Sequence, residues 1–136
     1  MDMSIHSSNE SVSTKKRMSP EAIFYEGAMF VKEDLEKSNY LAEPIDDNFM
    51  SMPQLIAVKN EIKTLVFVSI SDTEAGAKSI FSNEQISEFM RFSSERQADS
   101  LVAIVCIKNP EGGSDLYYGD GNSYTVKYDL FPSLTV

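Results

Sequence analysis

The sequence predicts one α+β domain: a small mixed β-sheet with two helices packed on it. Three observations lead there. The run Leu101-Val102-Ala103-Ile104-Val105-Cys106-Ile107 is apolar without period-two alternation, which marks a central strand covered on both faces. Two helix starts are written in cap chemistry, at Ser19-Pro20-Glu21 and at Ser82-Asn83-Glu84-Gln85. The remaining extended runs are short and bounded by turn residues, so helices must supply the cover that a half-apolar sheet needs. A chain of 136 residues with 42% hydrophobic residues supports one domain with a real core.

Residues 1–18 are rich in serine and read as a disordered tail, leaving residues 19–136 as the domain. Lys15-Lys16-Arg17 in that tail fits a solvated segment, a weak phosphate contact or a short nuclear-import signal. After the cap at Ser19, Ile23, Gly27, Phe30, Val31 and Leu35 recur at helical spacing, widened by Phe24, Ala28 and Met29. The helix is expected to end near Ser38-Asn39. Tyr40-Leu41 is a short extended piece stopped by Pro44. Residues 45–52 form a polar loop containing Asp46-Asp47, either a solvated acidic loop or part of a metal site. Residues 54–58 and 64–70 are strands joined by the turn Lys59-Asn60-Glu61. Residues 72–79 are a polar connection. A second helix follows Ser82, with Gln85 reaching back and Ile86, Phe89 and Met90 on its apolar face.

The organising stretch is 100–118. It is expected to hold the central strand, a turn at Lys108-Asn109-Pro110-Glu111-Gly112-Gly113, and a second strand running into Tyr117-Tyr118. After a turn at Gly119-Asp120-Gly121-Asn122, residues 124–130 alternate. Tyr124, Val126, Tyr128 and Leu130 share one face, and Thr125, Lys127 and Asp129 the other, as in a half-exposed edge strand.

Charge and composition exclude several classes of function. With net charge -9, the chain would be repelled by phosphates unless its few cations cluster, so a basic protein partner suits it better than DNA or RNA alone. No apolar run is long enough to cross a membrane. The only cysteine, Cys106, lies in the central strand and reads as a core residue, and the only histidine, His6, lies in the tail. Nucleophilic catalysis and a zinc site both need residues this chain does not cluster, and no glycine-rich phosphate loop precedes a helix. No catalytic residue, metal ligand or cofactor is therefore assigned.

Several strings resemble known families of one small endonuclease-like fold. Phe30-Val31, Asp34-Leu35-Glu36-Lys37-Ser38, Met52-Pro53-Gln54-Leu55-Ile56, the stretch 82–89, Ala103-Ile104-Val105 and Ser114-Asp115-Leu116-Tyr117-Tyr118 with Asp120-Gly121 are similar to the smallest, non-catalytic subunit of the tRNA-splicing endonuclease, the "Sen-fifteen" family. A second resemblance is to archaeal-type Holliday-junction resolvases. It rests on Leu35-Glu36-Lys37-Ser38-Asn39-Tyr40, on Pro53-Gln54-Leu55-Ile56-Ala57 and on the stretch 83–92. That family's metal-binding aspartate would fall on Gln54 and its Glu-X-Lys near Val68 and Ile70, residues that cannot hold Mg²⁺.

The first resemblance implies a non-catalytic structural subunit in the nucleus, with the cytoplasm as the alternative location. It would form a heterodimer with a catalytic endonuclease subunit, or self-associate, and touch tRNA only indirectly. The interface residues it implies are Tyr117, Tyr118, Asp120, Tyr124, Val126, Tyr128 and Leu130, with Glu111 and Asp115 as further acids near the turn. Tyr117 and Tyr118 suit a packing role as well as an interface role. The second resemblance implies an inactivated resolvase-like protein in a DNA-repair assembly. A third reading is an active metal nuclease using Asp46, Asp47 and Glu61.

Overall fold

The computed structural model describes residues 16–46, 51–113, 115–118 and 121–133. Helix α1 spans Pro20–Lys37. Ser19 caps it, accepting from the Ala22 N–H at 3.1 Å, and Pro20 occupies the first helical position, where no N–H is needed. Its buried face is Gly27, Ala28, Val31 and Leu35. Strands β1 (Leu41–Pro44), β2 (Leu55–Lys59) and β3 (Ile62–Ser71) form an antiparallel meander. Asn60 and Glu61, both at positive φ, make the tight β2–β3 turn that the sequence places there. Two helices, α2 (Glu74–Ser79) and α3 (Asn83–Ser94), carry the chain over to β4 (Asp99–Lys108), which lies parallel to β3. β5 (Ser123–Phe131) pairs antiparallel with β4 over its full length, so the sheet order is β1-β2-β3-β4-β5.

The mixed sheet with helices on both faces follows from the burial pattern. β4 is buried at every position from Ser100 to Ile107, as its unbroken apolar run predicts. One face carries Leu55, Val66, Val68, Ala103, Val105 and Ile107 and packs under α1. The other carries Leu65, Phe67, Val102 and Ile104 and packs under α2 and α3. There Phe67 stacks on Phe89 at 4.1 Å between ring centroids, and Phe81 meets the Phe89 edge at 4.9 Å. The α3 capping box forms as expected: Ser82 Oγ accepts from the Gln85 N–H, and Gln85 Oε1 accepts from the Ser82 N–H. Gly27 lets α1 sit close to the end of β3, because a Cβ there would lie 2.2 Å from Ile70 Cδ1. Cys106 is a buried free thiol.

The structure corrects four expectations. Tyr117-Tyr118 is not a strand of a hairpin with β4, because β3 holds one edge of β4 and the nine-residue β5 holds the other. Instead Tyr117 bridges to Arg17. Tyr40-Leu41 leads into a true strand, β1, paired with β2 from Leu41 to Pro44. The connection after β3 contains α2, capped by Thr73, which accepts from the Gly76 N–H at 2.9 Å. Six residues with Ala77 as the buried contact are too few to display a helical period. Finally, Lys16, Arg17 and Met18 belong to the folded unit. The Met18 N–H donates to the Leu116 carbonyl at 2.8 Å, the Tyr118 N–H donates to the Lys16 carbonyl at 3.0 Å, and Met18 is buried. The rest of the tail, residues 1–15, lies outside the described residues.

Candidate functional site

β5 closes the sheet, and among the described residues its backbone pairs on one side only. Nine consecutive residues in unbroken register leave every second N–H and C=O pointing away from β4. No proline and no bulge interrupts the strand; of the features that commonly protect an edge it carries charge, at Lys127 and Asp129.

Alternation sorts its side chains. Tyr124, Val126 and Tyr128 are half-buried against the α1-side core. Phe30 stacks on Tyr124 at 5.2 Å between centroids. The Tyr124 hydroxyl donates to Glu26 Oε1 at 3.4 Å, and the Tyr128 hydroxyl donates to Asp34 Oδ2 at 2.7 Å. Burial, reinforced by the Glu26 carboxylate, pushes the Tyr124 pKa up to about 12. Burial and the hydrogen bond to Asp34 raise that of Tyr128 further. Both phenols stay protonated donors that fasten the edge strand to α1. The contacts step along α1 from Glu26 to Asp34 as β5 runs from Tyr124 to Tyr128. Leu130, one step further, is 55% exposed, and Phe131 turns to the α3-side core. The opposite face presents Ser123, Thr125, Lys127 and Asp129 to solvent.

These placements divide the residues singled out from the sequence. Tyr124, Val126 and Tyr128 come together, but their side chains are committed to this chain's own core. The outer edge of β5 therefore offers backbone, the Ser123–Thr125–Lys127–Asp129 row and Leu130. Tyr117 and Tyr118 lie in a separate clasp. Arg17 pairs with Asp115 at 2.7 Å, the Lys16 ammonium sits 5.9 Å from the Tyr118 ring centroid, and Asn122 Nδ2 donates to the Tyr117 carbonyl at 3.1 Å. Asp120 lies outside the described residues. Glu26 and Asp34 were not singled out in the sequence as partners of the strand. Their signal was present in the four-residue steps Glu26, Phe30, Asp34, which line one face of a helix.

Gln54 has a structural task. It is 2% exposed; its backbone N–H donates to the Val66 carbonyl, and its Oε1 accepts from the Val68 N–H at 2.8 Å. β2 begins at Leu55, opposite Val66, so the Val68 N–H lies beyond its reach, and the Gln54 amide takes the place of the missing strand residue.

The proposed acid trio does not assemble. Asp46 accepts from Ser51 Oγ beside the start of β2, whereas Glu61 lies beyond its far end. The five residues of β2 separate them by roughly 17 Å at about 3.4 Å per residue. Asp47 lies outside the described residues. Among the described residues no three His, Cys, Asp or Glu side chains are grouped to hold a metal ion. No helix among the described residues is long and apolar enough to cross a membrane.

No curated protein and no solved structure matches the chain. Residues 22–134, nearly the whole of the described fold, match the family described as Domain of unknown function (DUF8840), and the chain belongs to that family.

Proposed function

We propose that this protein is a non-catalytic structural subunit, which adds the outer edge of β5 to a strand of a catalytic endonuclease subunit in tRNA splicing. The observation that carries the proposal is the edge itself. β5 is long, regular, flanked by β4 alone among the described residues, and fastened from behind by the Tyr128–Asp34 hydrogen bond and the Phe30–Tyr124 stack. A pre-ordered strand of this kind binds by main-chain hydrogen bonds at little entropic cost.

Gln54 supports the non-catalytic part of the reading. At the position where a resolvase-like ancestor would hold a metal, a neutral amide accepts from the Val68 N–H, and apolar Val68 and Ile70 of β3 stand where that family's Glu-X-Lys would fall. An inactivated resolvase-like protein in a DNA-repair assembly would share that site, so the identity of the recovered partner separates the two readings.

The test is affinity purification of the full chain from its own cells, followed by identification of co-purifying subunits. Recovery of splicing-endonuclease subunits is expected, and recovery of DNA-repair proteins instead would overturn the first reading. The same purification with T125E/K127E makes the outward row acidic while leaving the α1-facing side chains intact. The native row balances Lys127 against Asp129, whereas the variant row is uniformly negative and repels a partner that fits the balanced one, so recovery is expected to fall at least tenfold. Unchanged recovery would place the contact elsewhere.

A further inference from the structure

A crevice lies at the carboxyl ends of the two parallel strands, β3 and β4. Its deep part is a cleft of about 360 Å³ lined by Ile23 and Phe24 of α1, Ile70 of β3, Ile107 of β4, and Leu116. Its mouth is Ser71 and Asp72, and Asp72 also lines an adjoining cleft of about 370 Å³ with Thr73, Lys108 and Asn109. The carboxyl ends of parallel strands are where open α/β sheets bind small molecules, because loops diverge there and leave a gap between the faces.

The charged groups of the two clefts, Asp72 in both and Lys108 in the second, are uncommitted. Among the described residues Lys108 makes no ion pair, and the Asp72 carboxylate accepts only a long hydrogen bond, 3.3 Å, from Ser71 Oγ. Each is exposed, and they do not bond to each other. Asn109, which lines the second cleft, is fixed to the turn, donating to the Asp115 carbonyl at 2.6 Å and accepting from the Glu111 N–H at 2.8 Å. The apolar cleft is thus lined by one carboxylate, Asp72, and the cleft that shares Asp72 is lined by one ammonium, Lys108.

We infer that this crevice binds a free apolar α-amino acid. Its side chain enters the cleft between Ile23, Phe24, Ile70, Ile107 and Leu116. Its ammonium faces Asp72 and its carboxylate faces Lys108. A neutral hydrocarbon would leave both charges unused, and a ligand with a single charge would satisfy only one of them. This site is separate from the β5 edge and independent of the function proposed for it.

The test is an NMR titration of the full chain with L-leucine and L-phenylalanine, set against N-acetyl-L-leucine and L-leucinamide, which each lack one charge. Saturable shifts at Ile23, Ile70 and Leu116 are expected with the free amino acids. Affinity should be lower by roughly tenfold for each singly charged analogue and for each of Asp72→Asn and Lys108→Met. Both substitutions fall on exposed side chains, so the folded spectrum should persist and the binding readout stays interpretable. Absence of saturable shifts with either amino acid up to about 10 mM overturns the inference. So does equal binding of the analogues, or binding unchanged in both variants.

Discussion

At the scale of the residue, Gln54 links the sequence to the architecture most directly. Its string, Met52-Pro53-Gln54-Leu55-Ile56, reads in the sequence as the start of a strand and as a likeness to other families. Its task was not legible there, because Val68 lies fourteen residues away and no local rule pairs them. Replacing it with alanine leaves a buried N–H without a partner. We expect Gln54→Ala to lower stability by about 2–3 kcal/mol, measured as a shift in the urea midpoint. A loss below about 0.5 kcal/mol would mean that the β2–β3 ladder closes without it. The tyrosine–carboxylate pairs were hidden for a similar reason: helix spacing and strand alternation each indicate a face, but neither says that the two faces meet.

Among the elements, those with their own caps and periods were readable and those defined by competition were not. α1 and α3 declare themselves through Ser19-Pro20 and the Ser82–Gln85 box, and β4 through its unbroken apolar run. Ser82→Ala should therefore cost about 1 kcal/mol and fray the start of α3, visible as faster amide exchange at Gln85 and Ile86. If exchange there is unchanged, tertiary packing of Phe89 alone fixes that end. The stretch 109–118 was misread because turn chemistry shows where a strand stops but not which later strand returns to it. β5 offers nine partners to β4 where Tyr117-Tyr118 offers two, and pairing beyond the first turn is a contest that sequence proximity does not decide. α2 was lost because its six residues carry too little apolar pattern.

For the whole molecule, the fold class was legible because two apolar faces on one sheet require cover from both sides. The order of the strands depended on the β4–β5 pairing. The same arrangement sets a pH dependence. Tyr124 and Tyr128 hold their protons more tightly when folded than the unfolded chain does, chiefly because they are buried. The stability this contributes is complete below about pH 10, where an unfolded tyrosine titrates, and is lost as pH rises from there through the folded values. The urea midpoint should therefore fall as pH rises from about 10 to about 12, and fall less steeply in Y124F/Y128F. Parallel profiles for the two proteins would mean that the pairs do not couple folding to protonation.

The central claim is that β5 is an edge made for a partner strand. Amide hydrogen exchange along β5 tests it most directly, comparing the isolated chain with the assembly recovered from cells. In the isolated chain, alternate amides of Ser123–Phe131 should exchange fast while their neighbours, bonded to β4, are protected. In the assembly the fast set should become protected. Fast exchange that persists unchanged when the partner is bound would contradict the account.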